Sequence, residues 1–297
     1  TPPTLTAASG VDSAHFDVAT KTATINLRAG TTAADANKVL DMITLTGGTD
    51  SATLGTRYTL AFDGTAPEEF SLTADASDTS KVGVASGEKY SLKTTKALTS
   101  TDASTKKTLT FKVIAKNNIN GSTQTTFINY VVNVYPEYPK SLSLTPAQYK
   151  PGDTAYPSYP ADAIQAGDTL ATISPAQTPD ASVDKIAYSN VKIMLDDVDV
   201  TDKFILDSDA TNKYLLVIKA KEAGTITEGV YKVTATATLT DKGTGETNVT
   251  TSKDINFTTP GELKIGKDRP DIKVTSSATN FTYKDTVYNG TSMLGVI

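Results

Sequence analysis

A long internal repeat constrains the fold of this chain more than any other feature of its sequence. Residues 109–134 read LTFKVIAKNNINGSTQTTFINYVVNV, and residues 231–257 read YKVTATATLTDKGTGETNVTTSKDINF. Each segment is a run in which apolar and polar residues alternate, followed by a polar turn with glycine and a second alternating run. Segments this long and this far apart indicate two copies of a domain and not a short solenoid unit.

The repeat extends upstream of these two segments. PEEFSLTAD is echoed later by TDKFILDSD, and the echo aligns Phe70 with Phe204. The downstream segments align Phe111 with Tyr231 in the same way. The offsets between the copies are similar but not identical, so we expect loops of different length around a shared set of strands.

Composition favours strands over helices. Threonine accounts for 51 of the 297 residues. Threonine is β-branched, stiff about its first side-chain torsion and common on the half-exposed face of a sheet. Short alternating runs recur at roughly ten-residue spacing between glycine-containing turns, the pattern of a β-sandwich. One segment, residues 31–45, predicts a short helix because Ala34, Val39 and Met42 could share one face.

A proline-rich stretch divides the chain. Residues 135–160 contain six prolines, which restrict both themselves and their predecessors to extended geometry. We therefore predict an all-β protein with two tandem β-sandwich domains, at residues 1–137 and 138–259.

The last part of the chain, residues 260–297, is a strand-rich C-terminal segment too short for a third sandwich. An unpaired strand exposes backbone donors and acceptors and must find an edge. We expect this segment to be ordered and paired. It would be either a tail docked on the second domain or a partial domain completed by a neighbouring molecule.

Charge and composition argue against several function classes. The net charge is −5 with no basic stripe, which disfavours nucleic acid as a partner. No apolar run approaches the roughly eighteen residues of a membrane-spanning helix. The chain has one histidine, His15, and neither cysteine nor tryptophan. Without a recognisable nucleophile and base at catalytic spacing, we predict that the protein is not an enzyme and uses no cofactor.

One acidic cluster is a candidate calcium site. Calcium prefers several carboxylate and carbonyl oxygens at close range, and the segment LDDVDVTDKF concentrates such groups. The spacing does not match an EF-hand loop, and a solvent-exposed hairpin turn is the alternative interpretation. The candidate ligands are Asp196, Asp197, Asp199 and Asp202.

Tyrosines concentrate in the proline-rich junction and form a candidate binding surface. Exposed tyrosine rings can stack on sugars or seat a protein partner, whereas buried ones would pack the two domains together. Both interpretations stay open at this point. The five residues are Tyr135, Tyr138, Tyr149, Tyr156 and Tyr159.

The closing hairpins, each with Phe111 or Tyr231 followed by alternating apolar residues, resemble the last strands of Ig-like or cadherin-like modules in bacterial surface proteins. The calcium motifs of true cadherins are missing. A set of Asp-Ser/Thr-aliphatic triplets is similar to the O-glycosylation motif of exported Bacteroidetes proteins. These triplets are Asp12-Ser13-Ala14, Asp50-Ser51-Ala52, Asp153-Thr154-Ala155, Asp168-Thr169-Leu170 and Asp285-Thr286-Val287.

The resemblance implies an extracellular protein of a bacterial cell surface with a structural or adhesive role. Its partners would be other surface-protein subunits or host and cell-surface glycans. Two other classes fit the same pattern. One is a glycan-binding surface lipoprotein module, and the other is a virion decoration protein or surface-layer subunit.

Overall fold

The structure is a computed structural model of the chain. It describes residues 4–8, 16–46, 58–74, 88–100, 105–117, 123–180, 184–243, 251–269, 273–274, 280–283 and 286–289. The chain divides into two compact units. Unit 1 consists of Thr1–Pro139, Gln177–Lys185 and Leu239–Lys253, and unit 2 consists of Lys140–Ala176, Ile186–Thr238 and Asp254–Ile297.

The first sandwich lies in unit 1 and is built from two sheets. Its strands are β1 (Thr4–Ala8), β2 (Phe16–Asp17), β3 (Thr22–Arg28), β4 (Val39–Thr46), β5 (Tyr58–Phe62), β6 (Phe70–Ala74), β7 (Glu88–Thr94), β8 (Lys107–Asn117) and β9 (Thr123–Tyr135). One sheet has the order β1-β4-β7-β6, and the other has the order β2-β3-β9-β8-β5. Strands β3 and β9 run parallel, and the other described pairs are antiparallel.

Alternation along these strands places the apolar residues between the two sheets. In β3, Ala23, Ile25 and Leu27 are buried while the residues between them are half-exposed. This period of two is what a strand with one face on a core requires. Ile43 and Leu92 approach the same core from the facing sheet.

The predicted helix at residues 31–45 is wrong. The structure has a single 3₁₀ turn at Thr32–Ala34, and strand β4 then takes Val39–Thr46. Strand β4 carries the β-branched Ile43 and Thr44, and pairing with two neighbouring strands outweighs the short helical pattern.

The second sandwich repeats this construction. Its strands are β10 (Leu142–Pro146), β11 (Tyr159–Pro160), β12 (Thr169–Pro175), β13 (Asp184–Leu195), β14 (Val198–Asp199), β15 (Phe204–Ser208), β16 (Leu216–Ala220), β17 (Gly229–Asp241), β18 (Thr251–Asn256) and β19 (Gly261–Gly266). One sheet has the order β10-β12-β16-β15. The other has the order β11-β19-β17-β13-β14, with β18 also paired to β17.

Both sandwiches follow the same topology. The sheets β1-β4-β7-β6 and β10-β12-β16-β15 each place their strands in the order first, second, fourth and third along the chain. In each facing sheet, an early strand pairs in parallel with the last strand of that sheet, β3 with β9 and β11 with β19. The predicted all-β architecture of tandem sandwiches is therefore confirmed.

The strand at Gly261–Gly266 is β19, which pairs antiparallel with β17 from Val233 to Gly229. Its pairing partner is more than twenty residues away, so local periodicity does not reveal it. The predicted domain limits at residues 137 and 259 stay a prediction.

The remaining strands, β20 (Lys273–Val274), β21 (Asn280–Tyr283) and β22 (Thr286–Asn289), form a sheet of their own. Strand β21 pairs antiparallel with both neighbours. We expected these strands to add to an existing sheet edge, and in the described residues they pair with one another instead. Whether the segment acts as a docked tail or as a partial domain stays a prediction.

Candidate functional site

A buried arginine in unit 1 joins two carboxylates. Arg28 is 1% exposed and stands at the end of β3. Its guanidinium donates to both carboxylate oxygens of Asp184, at 2.5 and 3.2 Å, and lies 3.2 Å from Oδ2 of Asp241. It also donates to the carbonyl of Pro136 at 3.2 Å. The planar fork of arginine suits this arrangement, because two nitrogens can bind one carboxylate side by side.

Two carboxylates, those of Asp184 and Asp241, face the guanidinium in this Arg28 cluster. Burial lowers the pKa of Arg28, but the hydrogen bond and charge of Asp184 outweigh it, so the pKa is raised. Burial raises the pKa of Asp184, and the neighbouring Asp241 carboxylate adds to that increase against the opposing effect of Arg28. Asp184 and Asp241 therefore stabilise the charged form of Arg28, while their own carboxylates repel each other.

Two of the five predicted tyrosines border the Arg28 cluster. The ring of Tyr138 lies 4.3 Å below the Arg28 guanidinium, and its hydroxyl donates to Asp241 at 2.7 Å. Tyr135 pairs with Arg28 in the register of β3 and β9 and is buried. Both rings are thus occupied by contacts inside unit 1.

The other three predicted tyrosines come together in unit 2. The ring of Tyr149 meets Tyr156 edge-on at 5.5 Å and Tyr159 at 5.2 Å between centroids. Arg269 donates to the Tyr149 hydroxyl at 2.9 Å and forms an ion pair with Asp162 at 3.1 Å. Two of the five tyrosines thus belong to unit 1 and three to unit 2, and their role in binding a partner stays a prediction.

The predicted acidic cluster surrounds a hairpin turn. Asp196 and Asp197 have positive φ values of 48° and 62° and connect β13 to β14. Asp199 accepts hydrogen bonds from the backbone amide and hydroxyl of Thr201. These bonds lower the pKa of Asp199. Across the described residues, no three His, Asp or Glu side chains are grouped so that they could hold a metal ion. Calcium binding by Asp196, Asp197, Asp199 and Asp202 stays a prediction.

The sequence alone does not predict the Arg28 cluster. Arg28 and Asp184, which meet there, are 156 positions apart in the sequence, so no local motif contains both of them. The available signal was a single charged residue, Arg28, at the end of the alternating run KTATINLR. His15 lies outside the described residues. Within the described part of the chain, no helix has the length and apolar character needed to cross a membrane.

Comparisons with known proteins find likeness at the level of structure only. No family model and no curated protein matches the chain. Human protocadherin-24 EC1-2 has a TM-score of 0.47 at 14% identity, covering 91% of this chain and 99% of that one. Extracellular cadherin domains 1-4 of protocadherin gamma B7 have a TM-score of 0.38 at 15% identity, covering 86% and 49%. The strand pairings described above, and not these likenesses, define the fold.

Proposed function

We propose that this chain is a non-enzymatic structural or adhesive protein of a bacterial cell surface. Its two sandwiches would serve as modules that assemble with other surface-protein subunits or attach the cell to a partner. The proposal extends the prediction from the sequence, and it is supported by how the protein uses its buried polar groups.

The observation that carries the proposal is that, in the part of the chain that the structure describes, buried ionisable groups hold strands together and do not converge on a cleft. Asp41, fully buried on β4, accepts a hydrogen bond of 2.8 Å from the hydroxyl of Tyr130 on β9. Arg28 joins the end of β3 to Asp184 and Asp241. Tyr188 donates to the backbone carbonyl of Tyr214 at 2.7 Å. A catalytic site needs such groups aimed at a substrate position, whereas a load-bearing module needs them between strands.

Two exposed carboxylates of the described residues form ion pairs with lysines. Glu68 pairs with Lys96 at 2.6 Å, and Asp207 pairs with Lys219 at 2.9 Å.

The bacterial surface assignment rests on composition and on the Asp-Ser/Thr-aliphatic triplets. One of them, Asp153-Thr154-Ala155, lies on an exposed turn in which Asp153 accepts a hydrogen bond from the Ala155 amide. Modification of Thr154 at such a turn would leave the sandwich core untouched.

A bead-clustering assay tests the proposal. Beads coated with the full chain should cluster, or should bind cells of the source bacterium, while beads coated with bovine serum albumin should not. Sedimentation equilibrium would show whether the chain self-associates. Hydrolysis of a glycoside, ester or peptide substrate that a single Asp or Glu substitution abolishes would contradict the proposal.

The same experiments separate the alternatives. A glycan-binding lipoprotein module would bind a glycan array without bead clustering. A virion decoration protein or surface-layer subunit would form ordered arrays visible by electron microscopy when concentrated.

A further inference from the structure

A groove of about 520 Å³ crosses one face of the second sandwich in unit 2. Residues 234–236 of β17 line it together with Asn190 and Lys192 of β13, Asn256 at the end of β18, and residues 257–260 between β18 and β19. We call it the bulge groove. A volume of this size lies within the range of about 300–1,000 Å³ that holds small ligands.

The groove exists because the partner strand of β17 is interrupted. Strand β19 pairs with β17 as far as Gly261 opposite Val233. Strand β18 resumes the pairing where the Thr236 hydroxyl donates to Oδ1 of Asn256 at 2.8 Å. Residues 257–260 therefore lie opposite only residues 234–235, and the longer segment bulges away from the sheet. Bulges of this kind re-aim side chains next to functional sites.

Both walls of the bulge groove are fixed by the backbone. At the bulge, Gly261 packs so closely on β10 that an added Cβ would lie 2.9 Å from Cβ of Leu144. The Phe257 ring also packs against Gly261, since the same added Cβ would lie 3.3 Å from Cε1 of Phe257. On the opposite wall, Asn190 adopts a φ of 51°, a left-handed conformation inside strand β13. Two backbone irregularities in different strands thus border the same groove.

The lining of the bulge groove has the chemistry of a saccharide site. It consists of the amides of Asn190 and Asn256, threonine hydroxyls and the aromatic ring of Phe257. Because Oδ1 of Asn256 accepts from Thr236, the amide nitrogen of Asn256 keeps its two donors for a ligand. Amide and hydroxyl groups recognise ligand hydroxyls, and an aromatic ring packs on the apolar face of a sugar.

The charge of the residues that line the groove restricts the chemical class of ligand further. Lys192 is the single ionisable residue among those that line the groove, and Asp199 of β14 is a nearby carboxylate whose charge interacts with it. An ammonium group beside neutral donors favours a ligand that carries a carboxylate. We propose that the bulge groove binds a carboxylated saccharide unit, such as a uronic acid residue of a glycan. This site goes beyond the proposed assembly role and does not depend on it.

The test is an NMR titration of the full ¹⁵N-labelled chain with a trisaccharide of D-galacturonic acid. Resonances of residues 190–192, 234–236 and 256–259 should shift in a saturable way. A trisaccharide of D-galactose, which lacks the carboxylate, should bind about tenfold more weakly or worse, since hydrogen bonds to charged groups contribute about 1.5–3 kcal/mol. Equal affinity for the two trisaccharides would overturn the assignment, and so would the absence of shifts at these residues.

Matched variants make the result specific. K192Q should weaken galacturonate binding about tenfold, on the same value of a charge-assisted hydrogen bond. N190G should weaken it severalfold while keeping the backbone, because glycine tolerates a positive φ. K264Q changes an exposed lysine of β19 that does not line the groove, and it should bind like the unaltered chain. Thermal melts of each variant confirm folding.

Two further outcomes decide against the site. K192Q binding galacturonate as tightly as the unaltered chain would overturn it, as would an acidic oligoglutamate peptide producing the same shifts with the same affinity. Saccharide binding without bead clustering would support this site and contradict the assembly role alone.

Discussion

Phe204 meets Tyr231 edge to face, with ring centroids 5.7 Å apart and ring planes at 78°. In the first sandwich, Phe70 contacts Phe111 at 4.8 Å. Phe70 and Phe204 each begin the third strand of a four-stranded sheet, and Phe111 and Tyr231 lie on long strands of the facing sheets. The aromatic residues that the repeat aligns, Phe70 with Phe204 and Phe111 with Tyr231, therefore make equivalent contacts between the two sheets of each sandwich.

Removing either aromatic anchor should destabilise its own unit. Phe70 and Phe204 are 3% and 6% exposed, so F70A and F204A each leave a cavity in a core. We expect each to lower the free energy of unfolding by about 3–5 kcal/mol. Urea unfolding should show F70A affecting the transition of unit 1 and F204A that of unit 2. V18A, at a residue 76% exposed, is the control and should leave both transitions unchanged.

Removing the hydroxyl of Tyr231 should lower the free energy of unfolding by less than F204A does. It donates to the carbonyl of Thr227 at 2.9 Å and accepts from the Thr227 amide at 3.1 Å. This return to the backbone upstream is the tyrosine corner of sandwich folds. Y231F keeps the ring and loses the hydroxyl, so we expect a loss of about 1 kcal/mol in urea unfolding. A loss as large as that of F204A would show that the ring had moved.

Arg28 should be among the most sensitive positions of unit 1. R28M keeps much of the side-chain length but removes the guanidinium that binds the buried carboxylates of Asp184 and Asp241. Breaking a buried pair in this way costs about 3–5 kcal/mol of unfolding free energy. R28K keeps the positive charge but loses the planar guanidinium. Its free energy of unfolding should therefore lie between those of R28M and the unaltered chain. K96M removes an exposed pair with Glu68 and should leave the melting temperature unchanged, while an R28M variant as stable as the unaltered chain would contradict the role of the cluster.

The Tyr130–Asp41 hydrogen bond should make stability depend on alkaline pH. Burial raises the pKa of Tyr130 above its ordinary 10.0, and the charge and hydrogen bond of Asp41 add to the increase. A group whose pKa is raised by folding contributes stability that is complete below its unfolded pKa and is lost as the pH rises beyond it. Unfolding free energy of the unaltered chain should therefore fall faster above pH 10.0 than that of Y130F. Parallel curves for the two proteins would rule out this contribution.

Gly261 should be intolerant of a methyl group. G261A would place its Cβ 2.9 Å from Cβ of Leu144 in β10. A side-chain rotation cannot relieve this contact, because the backbone fixes the position of each Cβ. Overpacking of this kind costs about 1–3 kcal/mol. We also expect amide shifts at residues 257–259 in the NMR spectrum. Gly243, where an added Cβ would meet nothing within 4 Å, supplies G243A as the control.

Several elements could be predicted because their signals are local. The strands around Phe70, Phe111, Phe204 and Tyr231 follow from alternation with a period of two, which backbone geometry imposes on any strand with one buried face. The repeat itself followed from comparing the chain with itself. The helix predicted at residues 31–45 failed because pairing of β4 with β1 and β7 outweighs a weak local pattern.

The candidate sites could be predicted only in part. Asp196 and Asp197 were recognised as a group, and the structure shows that they connect two strands at a tight turn. Tyr149 and Tyr159 were recognised by composition, and they do make contact. Tyr138 belongs to the other unit, and the spacing of the tyrosines along the sequence does not show this.

The sequence by itself determined the class of fold, because alternating runs and a threonine-rich composition specify strands, and a repeated pattern specifies two sandwiches. Only the tertiary structure decided which side chains meet. Arg28 binds Asp184 and Asp241 across more than 150 residues, and the bulge groove forms where residues 257–260 lie opposite β17. The physical reason is that alternation fixes which face of a strand is buried, whereas the contacts of a side chain depend on strand order and register.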